Sequence, residues 1–229
     1  MFASLIDVIF PPRCAACREM LPPVDRPGVI GDLCAVCDAT LDPIVEACAR
    51  CGLPGETVEQ CATCRADPPA FDGATAAFLY GAAISDLLHH FKYEDHPELA
   101  HPLALQLARL TLPPVDVVAP VPLHPSRRRS RTYDQALYLA RALARLRGWP
   151  CAGGLLERTR PTARQVGQHR GARVLNVKGA FRASALAKDR QVLLVDDVMT
   201  TGATASECAR ALKAAGARMV HVASVARAV

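Results

Sequence analysis

The chain has 229 residues, 51% of them hydrophobic and only 5% aromatic, with a formal net charge of +5. That length suits one ordinary globular domain with a small appendage, its core filled by Leu, Val and Ala. No apolar run approaches the about 20 residues of a membrane helix. The surplus charge lies largely in two arginine-bearing loops, which points to anionic ligands more than to a diffuse nucleic-acid face.

The opening MFASLIDVIFPPRC is apolar but short, without basic leading residues or a cleavage site. No secretory leader is expected, and a cytoplasmic protein is. Eight of the ten cysteines then fall in four Cys-x-x-Cys pairs, Cys14/Cys17, Cys34/Cys37, Cys48/Cys51 and Cys61/Cys64. Two such knuckles complete a tetrahedral thiolate site, and the spacers of 16 and 9 residues fit a small zinc ribbon. Disulfides would require an oxidising compartment that nothing else in the sequence supports. A redox pair needs only one such motif, whereas four crowd into 51 residues. Two structural Zn²⁺ ions are therefore expected. The sequential grouping places Cys14, Cys17, Cys34 and Cys37 on one ion and the other four on the second, and a crossed grouping is open. Cys208 reads as a small buried residue.

Residues 65–73, RADPPAFDG, carry the polar and proline content of a domain boundary, giving a ribbon over 1–68 and a second domain over 69–229. ATAAFLY reads as a strand, and AAISDLLHHFKYED as a helix with one apolar face. Lys92 lies near that helix's end, where the dipole favours a cation. His89, His90, His96 and His101 show no metal-ligand spacing. ELAHPLALQLARL is a second amphipathic helix, and VDVVAPVPL, residues 115–123, a buried strand. After it comes HPSRRRSRTYDQ, whose arginines suit either a nucleic-acid patch or phosphate forks, and then the helix ALYLARALARLRG. LLERT suggests a short strand before the polar run Arg158 to Arg170, which has the length of a lid.

The most informative stretch is Val192 to Thr204, VLLVDDVMTTGAT. Four apolar residues read as a strand buried on both faces, of the kind found in parallel sheets, whose ligands bind beyond the carboxyl ends of the strands. Thr200, Thr201, Gly202, Ala203 and Thr204 lead into the helix SECARALKAAGA and offer N–H groups and hydroxyls to a phosphate. Asp196 and Asp197 would repel that phosphate, so ribose hydroxyls or a hydrated Mg²⁺ are their natural partners. The plainer alternative is two solvated acids with Thr204 as helix cap. MVHVASVARA closes the chain as a last strand.

VLLVDDVMTTGAT resembles the signature of type I phosphoribosyltransferases, which bind phosphoribosyl pyrophosphate (PRPP). Together with the cysteine pairs, VPLHPSRRRSRTYDQ and TARQVGQHRGARVLNVKGAF, the resemblance spans nearly the whole chain and reaches the competence-protein-F (ComF) and GntX-like family. It implies an α/β fold, a parallel sheet flanked by helices and preceded by a double zinc ribbon. It assigns Asp196 and Asp197 to the ribose and to catalysis, and Thr200 to Thr204 to the 5-phosphate. Leu123, His124, Arg127, Arg128 and Arg129 would hold the pyrophosphate, with Thr162, Gln165, Arg173 and Asn176 in the lid and Mg²⁺ accompanying PRPP. It also turns Lys92 towards the ligand, where the bare sequence allows a solvated lysine equally. The family usually reads Arg-Gly-Phe-Asn-Gln where this chain has Arg131-Thr132-Tyr133-Asp134-Gln135, so Asp134 either adds charge near an anion site or caps the next helix.

Two functions follow. One is a phosphoribosyltransferase with an acceptor the sequence does not identify, linked to competence, DNA uptake or nucleotide metabolism. The other is a non-enzymatic, PRPP-regulated module whose ribbon binds single-stranded DNA or a DNA-uptake partner protein. An apolar surface could pair two subunits.

Overall fold

The computed structural model describes residues 12–21, 33–55, 59–123, 132–160 and 177–229. Among them, β1 (Gly73–Leu79), β2 (Val117–Pro120), β5 (Gln191–Met199) and β6 (Met219–Arg227) form one sheet in the order β1-β6-β5-β2, every pair parallel. The β2 edge is extended by a single parallel bridge from Cys151 to Val118. β3 (Leu156–Arg158) and β4 (Phe181–Ala183) make a separate antiparallel pair.

Alternation along each strand explains why both faces are covered. Leu193 and Val195 of β5 face one way, with Val118 and Val225. Against them pack α3 (Ala82–Tyr93), α4 (Ala100–Arg109) and α5 (Gln135–Arg147), through Leu87, Phe91, Leu103, Leu107, Leu139 and Leu143. Val192 and Leu194 face the other way and meet Cys208, Ala209 and Leu212 of α6 (Ala203–Ala214), together with Leu156 and Phe181 of the small pair. Continuous apolar strands buried on both sides are the expected mark of a parallel sheet. Each parallel crossover requires a helix between strands, which fixes helices to the two faces. Cys208 is fully buried, as its place in a helix interior suggested.

The cysteine-rich front contributes two five-residue helices, α1 (Ala35–Ala39) and α2 (Ala62–Ala66), each beginning just after a cysteine that serves as N-cap. It is no free appendage. Cys14, Ala16, Leu21 and Leu33 are buried in the same apolar cluster as α3. Farther along, Ile44 N–H donates to Ala77 O at 3.0 Å and Leu79 N–H to Asp42 O at 2.8 Å, so this segment runs antiparallel along the outer edge of β1. An open strand edge is a liability, and the front covers it. The segment 65–73 is equally tied down. Arg50 donates to Pro69 O and Asp72 O, and Phe71 is 1% exposed.

Candidate functional site

β5 continues further than its four apolar residues suggest. Asp196, Val198 and Met199 still pair with Ser224, Ala226 and Arg227 of β6, so both carboxylates lie within the strand's last turns of pleat and not in a loop beyond it. Alternation then sends them to opposite faces. Asp197 follows Leu193 and Val195 towards α3, where Lys92 Nζ stands 3.1 Å from its Oδ2. Both side chains are largely shielded, at 19% and 13% exposure. Burial alone would lower the Lys92 pKa, but Asp197 and, behind it, Asp196 hold it above its ordinary value. Lys92 is thus a member of the rim and not a solvated helix-end lysine. Asp196 is pushed up to about 8, first by burial and then by the Asp197 charge, with Asp134 adding to it; Lys92 and the Asp197 N–H pull the other way. A carboxyl so placed favours its protonated form well above the ordinary carboxylate range.

The turn after β5 is built around Gly202, which takes φ 75° as the N-cap of α6. A residue with a Cβ is strained there. Phe71 packs beneath it, 3.7 Å from where a Cβ would stand. Thr200 and Thr201 occupy the turn, Ala203 and Thr204 the first two helical positions. The Thr201 hydroxyl accepts from Ala203 N–H at 3.3 Å, so the helix start is met by Thr201, and Thr204 is not its cap. A helix N-terminus that follows a buried strand and opens on the sheet's carboxyl edge is a ready anion site.

Three residues outside the expected set shape this rim. The Tyr133 hydroxyl donates to Phe91 O, and Gln135 Nε2 donates to Lys92 O at 3.2 Å, so the start of α5 fixes the end of α3 that carries Lys92. Arg227, 6% exposed at the end of β6, donates Nε to Cys51 O at 3.2 Å. Its Nη1 reaches Met199 O at 3.2 Å and the carbonyls of Thr200 and Ala228. Asp134 caps α5, accepting from Leu137 N–H at 3.1 Å, a role that Asn would fill equally. Gln135 sat inside the quoted motif and was its available signal; nothing in the sequence marks Arg227.

Leu123 is half-buried just past β2, on the same carboxyl edge. His124, Arg127, Arg128 and Arg129 lie outside the described residues, as do Thr162, Gln165, Arg173 and Asn176. Between the second cysteine pair group and the Thr200 turn lies a cleft of about 520 Å³, lined among others by Leu53, Cys61, Phe71, Gly202 and Ser206.

The cysteines gather sequentially, Cys14, Cys17, Cys34 and Cys37 in one cluster and Cys48, Cys51, Cys61 and Cys64 in the other. All ten thiols are unpaired. Sulfurs ~2.3 Å from one tetrahedral ion stand ~3.8 Å apart. The Cys17–Cys34 and Cys51–Cys61 sulfurs are each 3.8 Å apart, which fits Zn²⁺ in both clusters. Backbone N–H groups support the thiolates: Cys34 N–H donates to Cys14 Sγ at 3.3 Å and Cys61 N–H to Cys48 Sγ at 3.2 Å. Burial would raise Cys14 and Cys48, but such N–H donors outweigh it and bring both to about 6. Closed four-sulfur sites are structural.

With this geometry in view, residues 5–65 match the double zinc ribbon domain and residues 134–228 the phosphoribosyl transferase domain. The DNA utilization protein YhgH of Salmonella typhi is 33% identical over 199 residues, spanning 83% of this chain and 88% of the relative. Competence protein F of Haemophilus influenzae is 30% identical over 230 residues, 94% of this chain and 97% of the relative. A glutamine PRPP amidotransferase of B. subtilis, solved with ADP and GMP, superposes at TM-score 0.43 and 24% identity over 59% of this chain and 30% of that one, too loosely to bear on the site. A double zinc ribbon joined to a phosphoribosyl transferase domain, in the company of YhgH and competence protein F, makes this chain a member of the ComF family.

Proposed function

We propose that the carboxyl edge of β5 binds PRPP together with Mg²⁺. The single observation that carries the reading is the join of β5 to α6: two carboxylates at the strand's end, then a turn on Gly202 at φ 75° into a helix N-terminus. Thr200, Thr201, Gly202, Ala203 and Thr204 would take the 5-phosphate on N–H and hydroxyl donors. Asp196 and Asp197 would take the ribose hydroxyls, and Mg²⁺, a hard cation that prefers oxygen ligands, would bridge to the pyrophosphate. Leu123 and the arginines that follow it suit the pyrophosphate, since guanidinium forks bind phosphate oxygens in pairs. Thr162, Gln165, Arg173 and Asn176 are assigned to a segment that closes over the ligand. In a transferase the leaving pyrophosphate and an oxocarbenium-like ribose would be stabilised mainly by position and charge. A reducing, cytoplasmic compartment suits eight thiols held as metal ligands.

Calorimetry of PRPP binding with and without Mg²⁺ tests the site. Binding is expected to need Mg²⁺ and to weaken at least about tenfold in Asp197→Asn, one lost charged contact; unchanged affinity in that variant removes the reading. A second reading keeps the site but not the turnover: a PRPP-responsive module in which the ribbon meets single-stranded DNA or a protein used in DNA uptake. The cleft between the second cysteine cluster and the Thr200 turn favours it, because a partner held there would touch ribbon and phosphate turn together. Pyrophosphate release across a panel of acceptors supports the enzyme, and its absence supports the module.

A further inference from the structure

The last turn of α3 carries a cluster that neither the cysteine sites nor the β5 rim uses. His89, His90 and Glu94 each bring a ligand-capable atom to within 4.8 Å of the others, although their spacing in sequence matches no metal pattern. His90 Nδ1 is 2.8 Å from Glu94 Oε2, and His89 Nδ1 is 3.4 Å from Glu94 Oε1.

His90 is oriented from behind. Its Nε2 lies 2.9 Å from Ala16 O, which can only accept, so Nε2 holds the ring proton. In the neutral ring Nδ1 then presents a lone pair. That atom is buried and stands 2.8 Å from a carboxylate oxygen, off the line of a good hydrogen bond. Two lone-pair atoms so close repel unless they share a cation, either a proton or a metal ion seated beside the pair. An imidazole whose outer N–H is held by a backbone carbonyl while its inner nitrogen stands beside an anionic oxygen has the arrangement of a metal ligand with its outer support. The end of a helix also favours positive charge.

We propose that His89, His90 and Glu94 form a third metal site, for a borderline divalent transition ion such as Zn²⁺, Co²⁺ or Ni²⁺. Imidazole and carboxylate select that class over Ca²⁺ or Cu⁺. His89 at 60% and Glu94 at 42% side-chain exposure leave a path for the ion and positions for water. Arg18 competes with it: Nη2 lies 3.2 Å from Glu94 Oε2 and also contacts His96 Nε2. The site is thus weaker than the cysteine clusters. Filling it would brace the first cysteine knuckle, through Ala16, against the helix turn whose Lys92 reaches Asp197.

The test is a Co²⁺ titration of full-length protein whose two cysteine clusters are already filled with Zn²⁺. One further equivalent is expected, with weak d–d absorption and no sulfur-to-cobalt charge-transfer band. Affinity should fall about tenfold or more in His89→Ala and in Glu94→Gln, the range for losing a ligand or its support. It should rise in Arg18→Gln. Zinc content and thermal midpoint, measured on each variant, should stay unchanged, because both replaced ligands are exposed. No third equivalent, equal affinity in the variants, or a thiolate band at the third equivalent each overturns the site, and the His90–Glu94 contact is then an imidazolium ion pair.

Discussion

At the residue scale, the site balances one lysine, Lys92, against three carboxyl groups on one rim: Asp196, Asp197 and, farther off, Asp134. Burial and Asp197 raise Asp196 from an ordinary 3.8 to about 8, so the native state keeps a proton that the unfolded chain gives up. Below pH about 4 both states hold that proton and the stabilisation is complete. Between about 4 and about 8 only the unfolded state releases it, so stability falls as pH rises, and above about 8 the contribution is gone. Asp196→Asn removes this slope. Its thermal midpoint, relative to the parent, is expected to climb steadily from pH 5 to pH 8, as read by scanning calorimetry; a parallel pair of curves refutes the assignment. Asp72, which Lys213 at 2.6 Å and the Val220 N–H hold low against burial, adds a slope of opposite sign only below about pH 4, outside that window. The two aspartates were legible in the sequence as a pair after an apolar run. Their separation onto opposite faces was not, because it depends on how far β5 stays paired with β6. Lys92 was ambiguous for the same reason: whether a helix-end lysine meets water or a carboxylate is decided by the strand it packs upon.

At the element scale, strands and helices with long apolar patterns were readable, and short ones were not. β1, α3, α4, α5, α6 and β6 follow the periodicities of their segments closely. β4 is three residues long and exists by pairing with β3 across an intervening polar segment, a long-range contact that no local pattern records. α1 and α2 have five residues each, far below the length at which a helix holds on its own propensity; the Cys34 thiol caps α1 by accepting from Cys37 N–H, and Cys61 opens α2 without such a bond. Arg227 joins these scales. From the end of β6 it serves carbonyls of the second cysteine knuckle and of the β5–α6 turn at once. Arg227→Met keeps most of the volume but leaves buried carbonyls without that donor, at a cost of about 3 kcal/mol. Urea denaturation should report that loss, and Arg227→Lys should not restore it, since an ammonium cannot spread donors as a planar guanidinium does. An unchanged midpoint in Arg227→Met would show the contacts to be incidental. If PRPP binds as proposed, the same variant loosens the Thr200 turn and weakens that binding without touching the ligand.

At the scale of the whole molecule, the question is whether the metal-bearing front is a separable attachment or part of one cooperative structure. The sequence, with its proline-rich segment 65–73 between two compositions, favours separation. The packing favours union. The front fills the cluster around α3 with Leu21 and Leu33, hydrogen-bonds along the edge of β1, and meets the β5–α6 turn through Arg227. Magnitudes make the two cases distinguishable. A structural zinc site contributes about 10–16 kcal/mol of binding free energy to folding, whereas a whole domain is stable by only about 5–15 kcal/mol. If front and sheet unfold together, losing two ions removes more than the total stability, and the apo chain cannot hold its sheet. Stripping zinc with a strong chelator should therefore abolish the parent thermal transition and not merely lower the metal content. It should also produce light scattering, because β1's outer edge is then bare and open to pairing with other chains. Zinc added back before aggregation should restore the transition. A chelated protein that keeps the sheet's circular dichroism and melts at the parent temperature would establish the opposite, a sheet that folds alone with its ribbon loosely attached.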